Sequence, residues 1–302
     1  MTRPVLVAGR TGQVARALQR AAVARGVPLV ALGRPDLDVT DAASIAAALA
    51  AHRPSLLVNA AAWTAVDRAE TEEAAAFAVN AEGPRLLARA AAAAGIGFIH
   101  LSSDYVYDGG GNNPRDESNP VAPLSAYGRS KAAGDAAALD AYAEGTVILR
   151  TSWVHDPEGQ NFIRTMLRLS QERAVIRVVA DQHGAPTAAS SLAAAILAIA
   201  AAIEAEGLAG RAGVFHAADA GCTNWAEIAR TALAEGRAFG LKAARIEEIS
   251  TADYPTPAPR PLNSRLDCRR LAETWGIVLP DWRQGVAATI HGIMKKSEEG
   301  QG

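Results

Sequence analysis

Two short stretches carry residue types that can move a proton. Ser102-Ser103-Asp104-Tyr105 ends an apolar run, Phe98-Ile99-His100-Leu101, and Tyr127-Gly128-Arg129-Ser130-Lys131 opens an alanine-rich segment. On a helix Tyr127 and Lys131 share a face, one turn apart. An ammonium beside a phenol favours the phenolate, so the spacing predicts a Tyr127 pKa below the reference of about 10. A phenol tuned that way trades a proton with a carbonyl or an alcohol near neutral pH. The Ser103 hydroxyl can hydrogen-bond the same oxygen. Taken alone, a Tyr-x-x-x-Lys spacing reads as a surface pair; the motifs around it argue otherwise.

Such residues need a scaffold that brings a strand end beside a helix start. Val5-Leu6-Val7-Ala8 reads as a buried strand, followed by Gly9-Arg10-Thr11-Gly12-Gln13-Val14-Ala15 and a helical pattern to about Arg25. Gly9 permits the tight turn, Gly12 lets backbone approach a pyrophosphate at the helix N-terminus, and Ala15 is small where helix meets strand. This is a shortened dinucleotide fingerprint, with a plain structural turn as its rival. Apolar runs at 29–32, 56–59, 98–101 and 147–150 alternate with helical patterns. That alternation predicts an α/β fold with a doubly wound parallel sheet. Ligands of such sheets gather at the carboxyl ends of the strands.

After the second strand, where an acidic residue often binds the adenosine ribose, stand Gly33 and Arg34, with Arg10 in the first loop. Two cations without a carboxylate suit a 2'-phosphate, hence NADPH over NADH; the rival reading makes both arginines solvated loop charges. Asp38 and Val39 are placed to flank the adenine. The third strand leads into Ala60-Ala61-Ala62-Trp63-Thr64, whose small residues let a cofactor lie close to backbone, with Trp63 and Thr64 toward the nicotinamide. Asn80, within a helical pattern, is either exposed or turned inward onto a water or a backbone group.

The chain has 302 residues, 49% hydrophobic and 21% charged, with a net charge of -2. That is an ordinary globular balance with no electrostatic case for nucleic acid or an anionic membrane. Cys222 and Cys268 lack metal or redox spacing and fit a reducing, cytoplasmic setting. The most apolar long run, 188–203, falls short of a bilayer span and reads as a buried helix. Beyond Trp153 the chain is less regular. Residues 1–153 are expected to form the dinucleotide-binding domain and 154–302 mainly a smaller substrate lobe, with about 210–220 returning to the main sheet. The proline-punctuated stretch from Tyr254 to Arg265 is extended. In it Arg260 or Arg265 is placed to pair with a pyrophosphate, structural ion pairs being the alternative. The tail from Lys295 is charged and expected to fray.

Gly9-xx-Gly12-xx-Ala15, Asn59-Ala-Ala-Ala, Ser102 to Tyr107, Tyr127-xxx-Lys131 and Arg150-Thr151-Ser152-Trp153 occur in fixed order. This constellation resembles the extended short-chain dehydrogenase/reductases that act on nucleotide sugars. With Asp181-Gln-His-Gly-Ala-Pro-Thr187 and 254–267 added, it is most similar to the dTDP-4-dehydrorhamnose reductases, over nearly the whole chain. The resemblance implies a Rossmann-type domain and reduction of a C4 ketone by NADPH. It implies that Tyr127 donates the proton, Lys131 lowers its pKa and holds the nicotinamide ribose, and Ser103 orients the carbonyl. Asp104 and Trp153 match substrate-contacting positions; Gly12, Gln13, Val14, Asp38, Val39, Ala62, Trp63, Thr64 and Leu101 match cofactor-binding ones. Some relatives bind Mg2+ between subunits through glutamates. The matching positions here are Ala17, Ser190 and Gly292, so no metal is expected, and the chain is expected to be a monomer or weak homodimer. Two other readings stay open: a reductase of another nucleotide-linked 4-keto-6-deoxy sugar, and a non-catalytic regulatory subunit of the methionine adenosyltransferase type.

Overall fold

Short runs rich in Val, Leu and Ile form six strands: β1 (Val5–Ala8), β2 (Leu29–Leu32), β3 (Leu56–Asn59), β4 (Gly97–Ser103), β5 (Thr146–Thr151) and β6 (Gly213–His216). In the computed structural model, which describes residues 3–299, they line up as β6-β5-β4-β3-β1-β2. All neighbours are parallel. The chain winds outward from β1 to β2 and resumes on the other side at β3. The strand order therefore reverses between β1 and β3, where such sheets open a crevice for ligands.

Alternate strand residues feed two cores. Val5, Val7, Leu56, Val58, Ile99, Val147 and Leu149 pack under helices Gln13–Arg25 and Ala189–Glu206. Leu6, Ala8, Leu57 and Phe98 pack under helices Ala42–His52 and Gly83–Ala94. Cover on both faces is why the strands read as unbroken apolar runs. Helix Ala189–Glu206 is the one helix among the described residues long and apolar enough to cross a membrane. Its Leu192, Ile196 and Ile199 are buried in the first core.

A further core lies in the second half of the chain. Helices Phe162–Glu172, Trp225–Arg237 and Trp282–Glu299 pack around a parallel pair, Val175–Val179 with Arg245–Ile249. The tail from Lys295, expected to fray, continues the last helix to Glu299; 300–302, like Met1 and Thr2, lie outside the described residues. The proline-rich stretch ties the two halves together. His183 N donates to Leu262 O (2.8 Å), Asn263 N to Gly109 O (2.9 Å), and Arg115 N to Arg265 O (2.9 Å).

Register sets the site. Asn59 pairs with His100, and Ser103 pairs with Thr151. Strand β4 therefore outruns β3 by Leu101, Ser102 and Ser103, and carries the Ser103 hydroxyl to the carboxyl edge.

Candidate active site

Ser125 starts the helix that faces this edge. Its Oγ accepts from Gly128 N (3.1 Å), satisfying an otherwise orphan donor of helix Ala126–Tyr142. Tyr127 thus sits in the first turn and Lys131 in the second. The helix lies very close to its neighbour: a Cβ on Gly134 would stand 1.9 Å from the Asn80 carbonyl oxygen. Glycine is what permits that approach.

Lys131 is buried, and its Nζ donates to Leu101 O (2.7 Å). Burial pulls the ammonium down to about 8, with the Asp135 carboxylate one turn below opposing the fall. Ser103 Oγ donates to Asp104 Oδ1 (3.0 Å) and accepts from Tyr105 N (3.2 Å). The Tyr127 ring meets Tyr105 edge-on at 5.5 Å. Its phenol is pushed up to about 12 by burial; the Ser103 hydroxyl beside it opposes, and Asp104 and Asp135 add to the rise. The expected fall in the Tyr127 pKa is therefore corrected. Loss of solvent outweighs any pull from Lys131, whose ammonium is engaged by the Leu101 carbonyl. The phenol stays protonated, which suits a proton donor.

Asp104 is buried, and its Oδ2 has no hydrogen-bond partner among the described residues. Burial raises its carboxyl to about 6, against the pull of the Ser264 and Ser103 hydroxyls. Beneath Lys131 lies a buried polar chain that the sequence did not suggest. Arg150 Nε donates to Asp135 Oδ2 (2.9 Å), Arg150 Nη1 donates to Tyr107 OH (2.8 Å), and Tyr107 OH lies 2.6 Å from His216 Nε2. Asn59 Nδ2 donates to His100 Nδ1 (3.1 Å), and burial, with Lys131 adding, holds that imidazole neutral.

The other expected residues gather at the switch point or near it. Gly9 has φ 115°, and a Cβ there would stand 3.0 Å from the Ala60 carbonyl carbon, so the first turn rests directly on the β3 loop. Gly12 is the extended N-cap of the first helix, and no side chain caps it. Those first-turn amides are free for an anion, the fit a pyrophosphate requires. Gln13 and Val14 follow on that turn. Arg10 Nη1 meets Asp36 Oδ2 at 3.1 Å, both half exposed, and Arg34 is exposed. Gly33 lies against the Arg10 side chain. Asp38 Oδ1 accepts from Thr40 N (2.9 Å) and Thr40 Oγ1 (2.7 Å), while Val39 is buried in the second core.

Ala62 and Thr64 are exposed, and Trp63 between them in sequence is half-buried. Trp63 N donates to Asn80 Oδ1 (2.8 Å), and Asn80 Nδ2 donates to Trp63 O and to Ser130 Oγ (both 3.0 Å). Asn80 is thus turned inward, from a single π-helical turn, Ala78–Glu82. Arg260 Nη2 is bidentate to Asp67 (2.9 and 2.8 Å), and Arg265 donates to Cys222 Sγ (2.9 Å) and Asn112 O (3.2 Å). Neither guanidinium is idle in this structure. Trp153 lies two residues beyond the end of β5 and is half-buried. Among the described residues no group of three or more His, Cys, Asp or Glu side chains could hold a metal ion.

A parallel sheet with its glycine-lined switch point, and a Ser-Tyr-Lys group at its carboxyl edge, define an extended short-chain dehydrogenase/reductase. The particular family follows from comparison: the family model described as RmlD substrate binding domain matches residues 2–294, and the chain belongs to that family. It is 40% identical to a dTDP-4-dehydrorhamnose reductase of Sinorhizobium fredii, over 97% of this chain and 98% of that one. A probable dTDP-4,6-dihydroxy-2-methyloxan-3-one 4-ketoreductase of Streptomyces antibioticus is also 40% identical, over 96% and 95%. Among solved structures, a dTDP-4-dehydrorhamnose reductase from Bacillus anthracis in complex with NADP superposes with a TM-score of 0.87 at 29% identity, covering 96% of this chain and 99% of that one.

Proposed function

We propose that this protein is an NADPH-dependent reductase that converts the C4 ketone of dTDP-4-dehydro-L-rhamnose to the alcohol of dTDP-L-rhamnose, the last step of dTDP-rhamnose synthesis. The observation that carries the reading is the grouping of Ser103, Tyr127 and Lys131 at the carboxyl edge of a dinucleotide-type sheet. The relatives name the substrate. Bound NADPH supplies the hydride to C4.

This chain's residues do the rest. The uncapped first helix and the Gly9 turn take the pyrophosphate, and Arg10 and Arg34 take the 2'-phosphate. Ala62, Trp63, Thr64 and Leu101 line the nicotinamide end, and Asp38 and Val39 the adenine end. Ser103 hydrogen-bonds the ketone oxygen and orients it. Tyr127 gives its proton to that oxygen as charge develops there. Lys131 has one hydrogen-bond partner among the described residues, which leaves two N–H groups for a ribose. Its ammonium also stabilises the phenolate that remains. Asp104, through its unpaired Oδ2, and Trp153 hold the sugar. Arg260 and Arg265 meet the diphosphate if they exchange their present partners for it. The reading places the enzyme in the cytoplasm, as a monomer or weak homodimer.

The test couples the two preceding enzymes of the pathway to this protein and follows NADPH absorbance. Wild type oxidises NADPH with dTDP-L-rhamnose as product; Tyr127→Phe binds NADPH but loses about 100-fold or more in kcat. A folded, NADPH-binding wild type that leaves the keto-sugar untouched refutes the rhamnose assignment. The Streptomyces relative then favours another 4-keto sugar. Inertness toward all such sugars would favour a binding role of the regulatory-subunit kind.

A further inference from the structure

Trp153 has an unusual backbone for a bulky residue. Its φ is 49°, in the left-handed region that side chains of its size rarely adopt. Such strain persists only where the surroundings hold it. Two neighbours do so. The Trp225 ring stacks on it, with centroids 4.1 Å apart and planes at 26°. Gly184 also approaches the Trp153 ring, so closely that a Cβ there would stand 2.9 Å from Trp153 Cζ2 and 3.0 Å from Ser264 Cβ.

Trp225 is itself fixed. Its Nε1 donates to Gln182 Oε1 (3.0 Å), Gln182 Nε2 donates to Thr251 Oγ1 (3.1 Å), and Phe162 leans on the ring at 4.7 Å. A cavity of about 100 Å³, lined by Trp153, Phe162, Pro186 and Trp225, lies beside the stack. It is room into which Trp153 would relax if its partner shrank. Gly184 lies against Ser264, whose hydroxyl acts on the Asp104 carboxyl, and Asp104 Oδ1 accepts from Ser103.

We propose that Trp225 is a positioning residue for the sugar nucleotide: with Gly184 it forms a slot that fixes the Trp153 indole, and through it the pose of the substrate. This rests on the reading above that Trp153 touches substrate. Trp225 acts on substrate affinity, with the proton-transfer group and the cofactor crevice left alone.

The test compares wild type with Trp225→Leu, Trp225→Phe, Trp153→Leu and Gly184→Ala. Three quantities are read: the near-ultraviolet circular dichroism of the paired indoles, the Kd for NADPH, and KM and kcat for the keto-sugar. Trp225→Leu is expected to lose the indole-pair signal and raise KM about fivefold to tenfold, the worth of one aromatic stack. Its kcat and its NADPH Kd stay within about twofold of wild type, on the same account of a term confined to substrate binding. Trp225→Phe keeps a stacking face and restores KM to within about threefold. Gly184→Ala raises KM with Trp225 intact, so the slot is tested even if Trp225→Leu fails to fold. An unchanged KM in Trp225→Leu, with a raised KM in Trp153→Leu, overturns the proposal alone. An unchanged KM in Trp153→Leu overturns the substrate reading of Trp153, and the proposal with it.

Discussion

If Lys131 and Tyr127 act as proposed, the alkaline limb of activity is expected to follow Lys131 and not Tyr127. Burial brings the ammonium to about 8 and the phenol to about 12, so the lysine loses its proton first. About nine-tenths of free enzyme carries the ammonium at pH 7 and about one-tenth at pH 9. The pH dependence of kcat/KM for NADPH reports groups of the free enzyme, so it should fall about tenfold per unit above pH 8. Asp135→Asn removes the carboxylate that holds the ammonium up, and the limb moves to lower pH. Unfolding does not mimic the effect. The folded pKa of Lys131 lies below the 10.5 of an unperturbed lysine, so between about pH 8 and 10.5 the unfolded chain holds the proton longer. That makes the lysine's own contribution to stability rise with pH through this window, by on the order of 3 kcal/mol, while activity falls. The assay is a stopped-flow or steady-state profile from pH 6.5 to 10, with circular dichroism confirming folded protein at each pH. Asp135→Asn leaves Arg150 buried without its counter-charge, a loss of about 3–5 kcal/mol, so the variant is compared on its folded fraction. A wild-type limb near pH 10, or one that Asp135→Asn leaves in place, would refute the reasoning.

Two further outcomes follow from named contacts. Asn80→Ala removes three hydrogen bonds, one buried and two part-buried, that hold the Trp63 loop to helix Ala126–Tyr142. It should cost about 2–4 kcal/mol in urea unfolding and weaken NADPH binding more than it slows the proton step; a Kd for NADPH within twofold of wild type would contradict it. Arg34→Ala and Arg10→Ala should each lower the NADPH/NADH preference about tenfold or more, read as the ratio of kcat/KM values, because each removes a charge-assisted contact to the 2'-phosphate. An unchanged ratio in both would return the arginines to plain loop charges.

What was legible in the sequence was what short range decides. Strands covered on both faces announce themselves as apolar runs, and the spacing of Tyr127 and Lys131 needs only a helix to place them on one face. Gly9 and Gly12 could be assigned to a turn because a strand and a helix flank them. What distance decides was hidden. Arg260 had two readings from sequence, and its partner Asp67 lies in the short helix Val66–Ala69 that follows β3, far back along the chain. Trp225 belongs to none of the motifs above; its stack on Trp153 exists only after two halves of the chain meet. Asn80 was marked as a choice between solvent and an inward contact, and the π-helical turn that aims it inward has no signature in a line of alanines.

The Tyr127 pKa shows the same division within one residue. Spacing gives the neighbour, and a neighbouring ammonium favours the phenolate; burial depends on every element packed over the site, and burial dominates. A phenol that titrates near 12 holds its proton at every pH near neutral, the state the proposed donor role needs. Giving up the proton leaves a phenolate, which burial disfavours and which the Lys131 ammonium would have to stabilise. The packing that concealed the pKa from the sequence therefore keeps Tyr127 protonated while making it a weaker acid, so proton transfer in the proposed reaction would lean on the charge developing at the ketone oxygen and on the Lys131 ammonium one helical turn away.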